Sequence, residues 1–230
     1  MNWRVHRIRA NKLNDNKNFT YPFYLRSRLS SCSLLYLWYL TGFSKVTVHS
    51  PWQYWSRVLL YLSFIVWGGF LILPGYESGE ILHSFWHVIN LGFHEAGHYV
   101  FQHLGRFMMV MGGTLGQLAA PFLLMLAFIF KNGDYFGASL CLWWLGESFA
   151  DCAPYINDAL AQHMILLGGV TGRDVPGYHD WNYMLNQLSL VEYHHGLATT
   201  CFTVGVIIMI AAIIWGGIVL FGQYRTEYLY

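Results

Sequence analysis

Residues 197–222 (LATTCFTVGVIIMIAAIIWGGIVLFG) contain no charged side chain, and this run restricts the fold more than any motif does. A helix needs about 20 apolar residues to cross a hydrocarbon core. In lipid, only helices and closed barrels satisfy their own backbone. Further candidate spans lie at 52–73, 80–105, 107–130 and 135–153, and Pro74-Gly75 and Lys131-Asn132-Gly133-Asp134 read as turns between them. The pattern predicts an all-α, polytopic transmembrane helical bundle of about five to six spans. The sixth counts if Ser33–Phe43 crosses rather than lying at the interface or re-entering.

Composition agrees. Charged residues make up 11% and aromatic residues 18% of the chain, where soluble domains carry about 25% charged residues. Such a surface needs lipid over much of it. Nine of the 13 Lys/Arg fall within residues 1–57, opposed there by a single acid, Asp15. A basic leader before the first long apolar run marks a cytoplasmic N-terminus held at an anionic lipid surface. No nucleic-acid recognition motif accompanies it. Trp52, Tyr54 and Trp55 stand where an interfacial aromatic belt would. Two parts are expected: a basic, partly interfacial segment 1–50 and a helical domain 51–230. The four scattered cysteines form no Cys-x-x-Cys pair, which argues against a disulfide framework or a cysteine-based zinc site.

Chemistry enters at His94-Glu95-Ala96-Gly97-His98. Positions four apart on a helix face the same way, one turn above each other. Two imidazoles so placed can share one tetrahedral zinc, and Glu95 beside them can serve as general base and then acid. Buried Glu and His are costly in an apolar helix without partners. The polar stripe extends back through Asn90, His87, His83 and Glu80, all within roughly 80° of arc. His87 lies seven residues from His94, about 10 Å along the axis, so the two cannot share an ion. His83 and His87 can line a watery cavity, form a proton path or make a second site.

A third ligand must come from elsewhere. Glu147, Asp151 and Asp158 share one face if their helix is unbroken, although Pro154 is expected to kink or end it. Glu147 is the preferred third ligand, Asp158 the alternative, and Asp151 an outer partner of a ligand histidine. Gly177-Tyr178-His179-Asp180-Trp181 is a further polar cluster, read either as a turn with a local hydrogen bond or as a His–Asp pair stabilising an oxyanion. His194-His195 read as interfacial polarity.

The motif together with Glu147-x-x-x-Asp151 resembles the gluzincin pattern of thermolysin-like metallopeptidases. That likeness implies Glu147 as zinc ligand and Asp151 as the group orienting His94 or His98. The membrane setting and element order resemble site-two proteases, the intramembrane zinc peptidases. Pro154-Tyr155-Ile156-Asn157-Asp158-Ala159 is similar to their proline-containing ligand stretch, with Ala159 where Gly is usual, and implies Asp158 as ligand. Met111-Gly112-Gly113-Thr114 with Gln117 is similar to their glycine-rich segment with a buried amide. Together the likeness covers roughly residues 80–160.

The resemblance implies a membrane-embedded zinc peptidase acting on a membrane-associated protein, and the compact size is expected of a bacterial inner-membrane protein. Two other classes remain open. A non-catalytic metal-binding membrane subunit would hold its zinc with four protein ligands. A histidine-rich di-iron lipid-modifying enzyme would gather His83, His87, His94, His98, His194 and His195, but the chain lacks the His-x-x-His-His cluster of that class, and Glu95 has no role in it.

Overall fold

The computed structural model describes residues 50–228. The expectations for the basic leader, Cys32 and residues 33–43 lie outside the described residues. Within them the chain is all helical, with six α-helices and no strand: α1 (Pro51–Ile72), α2 (Phe85–Phe101), α3 (Arg106–Ala127), α4 (Tyr135–Asn157), α5 (Asp180–Gln187) and α6 (His194–Tyr228). Short 3-10 turns and one π turn, Phe128–Asn132, connect them.

Among the described residues three stretches, Pro51–Ile72, Arg106–Asn132 and Val191–Tyr224, are long and apolar enough to cross a membrane. This is consistent with an integral membrane protein, though with fewer such helices than the five or six expected. The difference lies in α2, which has only 17 residues, and in α4, whose 23 residues include Glu147 and Asp151. Large apolar side chains such as Leu59, Phe70, Phe122, Ile207 and Ile214 point outward, the surface that helices solvated by lipid require.

Local chemistry sets the ends. Ser50 caps α1, its hydroxyl accepting from the Gln53 amide, with Pro51 at the first helical position. Asp134 caps α4 through the Gly137 amide at 3.2 Å and also pairs with Arg57 at 3.2 Å, which fastens α1 to α4. The expected helix over 80–105 is not continuous. Gly79 is left-handed (φ +74°), Glu80–His83 is a 3-10 turn, and extended Ser84 caps α2 through the His87 amide at 3.0 Å. The predicted stripe therefore breaks before His87, leaving Glu80 and His83 outside α2.

Inside, Leu71, Ile81, Trp143, Ala150, Met209 and Ala212 form one core, with the Phe64 and Trp143 rings 4.7 Å apart in an edge-to-face contact. Glycine allows the helices to touch backbone to backbone. A Cβ on Gly146 would meet the Gly205 carbonyl at 2.7 Å, so α4 and α6 pack as closely as two helices can. The same holds for α2 against α3, where a Cβ on Gly116 would meet the Phe93 carbonyl at 2.6 Å. That second approach brings α3 onto the histidine face of α2.

Candidate metal centre and its cleft

His94 and His98 sit one turn apart on α2, their rings 4.7 Å apart and nearly perpendicular. Both Nε2 atoms converge on one oxygen, Asp180 Oδ2, at 2.9 Å and 3.1 Å. These three residues form the group of His, Cys, Asp or Glu side chains that could hold a metal ion among the described residues. Gly113 of α3 faces them, and a Cβ there would meet His94 Nε2 and would lie 2.6 Å from His98 Nε2. Any side chain at 113 would displace the rings.

The other ring nitrogens decide what the Nε2 atoms are. His98 Nδ1 donates to the Met109 carbonyl at 2.8 Å. His94 Nδ1 faces Gln117 Oε1 at 3.4 Å. The amide orientation of Gln117 is fixed from behind, since its Nε2 donates to Asp151 Oδ2 at 2.9 Å and to the Ser148 carbonyl at 3.3 Å. Neutral rings held this way carry their proton on Nδ1 and offer Nε2 lone pairs to an ion, whereas a protonated ring donates from Nε2 to Asp180. Three such atoms aimed at one point need a proton or a metal cation among them. Four tetrahedral ligands at 2.0–2.1 Å from zinc stand about 3.3 Å from each other, close to the spacing seen here. The donor set fits a small divalent ion.

Glu147 and Asp158 do not reach this point. Glu147 is fully buried and accepts from Asn90 Nδ2 at 2.8 Å through Oε2, while its Oε1 has no hydrogen-bond partner. Helix α4 runs through Pro154 to Asn157, so Glu147 and Asp151 do share a face. That face meets Asn90, His87 and Gln117 instead of the HEAGH pair. The third position is taken by Asp180. Asp158, at the C-terminal cap of α4, is engaged elsewhere: it accepts from the amides of His163 and Met164 at 2.9 Å and 2.8 Å and faces His179.

Asp151 is an outer partner, but through an intermediary. It holds Gln117, which holds His94, and its other oxygen bonds His87 Nδ1 at 2.8 Å. Replacing Asp151 by Asn would let the Gln117 amide turn over, present a donor to His94 and drive its proton onto Nε2. Loss of such outer partners costs about 10–100-fold in metal affinity. Asp151→Asn should show that loss in chelator competition. Adding Gln117→Glu should restore affinity, since the double change keeps a donor at 151 and an acceptor facing His94.

Asp180 opens α5, and neighbouring residues fix it there. Its amide donates to the Tyr155 hydroxyl at 2.9 Å, and Asn182 Nδ2 donates to the Ala159 carbonyl at 2.8 Å. His179 and Asp180 do not act as a pair. His179 is fully buried, caps α5 by accepting from the Asn182 amide at 3.2 Å, and directs Nε2 to Asp158 at 3.3 Å. Burial would raise the Asp180 carboxyl, but hydrogen bonds from His94 and His98 outweigh it and hold the group below the usual carboxylate range. It stays an anion. The sequence signal for Asp180 was its place in the GYHDW cluster, where an acid in a first helical turn is common; nothing in the spacing tied it to the histidines.

A cleft of about 300 Å³ opens onto the centre. His87, Glu95, Tyr155 and Arg106 line it together with the three candidate ligands and the apolar Leu91, Met109 and Ile165. Glu95 is exposed and makes no hydrogen bond or ion pair among the described residues. His83 is exposed and His194 bonds the Asn157 carbonyl at 2.8 Å; neither joins the cluster. A scan against family models and searches of curated proteins and of solved structures find no match to this chain.

Proposed function

We propose that this chain is a membrane-embedded zinc-dependent peptidase, similar in its site to site-two proteases, that hydrolyses peptide bonds of a membrane-associated protein. The convergence of two Nε2 atoms and one carboxylate oxygen beside a cleft that also holds Glu95 carries this reading. Zinc, when bound, supplies a Lewis acid that polarises a carbonyl and lowers the pKa of water. His94, His98 and Asp180 hold the ion with three protein ligands, the number found in catalytic sites; structural sites use four. Glu95 takes a proton from the attacking water as the new C–O bond forms. It then delivers that proton to the nitrogen as the C–N bond breaks.

The basic leader favours an N-terminus on the cytoplasmic side of the membrane. The di-iron alternative loses support because His83 and His194 stand apart from the HEAGH pair. Metal analysis and proteolysis of denatured casein in detergent test the proposal. The expected result is one zinc per chain and an activity abolished by chelator and restored by zinc. Two irons per chain, or a zinc-loaded protein inert towards casein and peptide libraries, would refute it.

A further inference from the structure

Arg106, the first residue of α3, is the one lysine or arginine among the residues that line the cleft. Residues on both sides of Asp180 in the chain hold it in place. Its guanidinium lies over the Tyr183 ring, 4.7 Å from the centroid, and its Nη2 faces the Gly177 carbonyl at a long 3.5 Å. Gly177 has φ +76°, and a Cβ there would lie 2.8 Å from that same Nη2. The glycine thus leaves the space that the guanidinium occupies.

The charge of Arg106 is not used by the fold. No acid among the described residues pairs with it: Asp180 serves His94 and His98, Asp151 serves His87, and Asp134 serves Arg57. A guanidinium stacked on a ring keeps its N–H donors along the edge of its plane, and one long contact leaves most of its five donors unspent. That planar fork matches the two oxygens of a carboxylate.

Its position suits a substrate held at the candidate ligands. Arg106 stands three residues before Met109, whose carbonyl receives His98 Nδ1. It stands seven residues before Gly113, which faces both ligand rings, a rise of about 10 Å along the helix. An extended peptide covers that distance with about three residues.

Resting on the hydrolase reading above, we propose that Arg106 is a specificity-determining residue that takes a carboxylate of the substrate, supplied by the chain's C-terminus or by an aspartate or glutamate a few residues from the scissile bond. Peptides with a neutral or basic group at that place are then poorer substrates.

The test uses the zinc-loaded full chain in detergent and two-headed probes, with a hydroxamate at one end and a carboxylate at the other, joined by spacers of increasing length. Each is paired with the same compound ending in a carboxamide, and acetohydroxamate reads the metal centre alone. At the best spacer length the carboxylate should bind about tenfold more tightly than the carboxamide, and the Arg106→Gln protein should no longer distinguish the two. Hydrolysis of a peptide with a free C-terminus and no acidic side chain, beside one with a glutamate and an amidated C-terminus, names the source: the one whose KM rises on Arg106→Gln carries the carboxylate. Equal binding of carboxylate and carboxamide at every length would overturn the proposal, as would a preference that survives in Arg106→Gln. Loss of zinc from Arg106→Gln would make the residue a clasp for α5 and overturn it too. A preference abolished by phosphatidylglycerol in the micelles would assign Arg106 to lipid phosphate instead. Failure of acetohydroxamate itself to bind, with casein left uncut, would sink the hydrolase reading and this proposal with it; binding of acetohydroxamate without the preference sinks this proposal alone.

Discussion

Changing Glu95 to Gln is expected to lower casein hydrolysis by about 10²–10⁴-fold, the usual contribution of a positioned general base. Zinc content and thermal stability should stay at the level of the unchanged protein. The separation follows from where the side chain sits. Glu95 lines the cleft, is exposed and makes no hydrogen bond or ion pair among the described residues, so its carboxylate contributes to no cap or clasp there. Gln keeps the shape and removes the ability to accept and return a proton. Unaltered hydrolysis in the Glu95→Gln protein would show that Glu95 is not the base and would pass that role to another group of the cleft.

The second large effect concerns which carboxylate holds the ion. Asp180→Ala should reduce zinc affinity by more than the roughly 100-fold at the upper end for outer partners, because it removes the oxygen on which both rings converge. Glu147→Gln should leave zinc stoichiometry unchanged. The amide can keep its oxygen towards Asn90 Nδ2, and the other Glu147 oxygen has no hydrogen bond to lose. Equilibrium dialysis against a chelator series measures both. Loss of zinc from the Glu147→Gln protein, together with its retention by the Asp180→Ala protein, would return the third place to α4.

Much of the architecture was legible in the chain. The apolar runs at 52–73, 107–130, 135–153 and 197–222 correspond to α1, α3, α4 and α6, because burial or lipid contact of a whole helix writes itself into composition. Helix α5 was not legible: its eight residues include only Trp181, Tyr183, Met184 and Leu185 as apolar positions, too short a pattern for a period to emerge. The start of α2 was readable from Ser84 as a cap, yet the histidine spacing drew the helix back to residue 80.

The site divides the same way. His94 and His98 meet because a turn of helix is local geometry. Gln117 as a buried amide was foreshadowed by the resemblance to site-two proteases, and it does face His94. The third member of the cluster was not readable, since identical spacing rules put Glu147 and Asp151 on one face without saying which neighbour that face would meet. Close glycine packing of α2 on α3 decided this, and it is a tertiary fact.

The two imidazoles belong to a 17-residue helix packed closely on α3, whereas Asp180 rides on an eight-residue helix tethered by a handful of side-chain bonds. An ion held by all three would rivet the short helix to the longer one. On the proposed reading, filling the centre would therefore fix where α5 lies as well as place the ion.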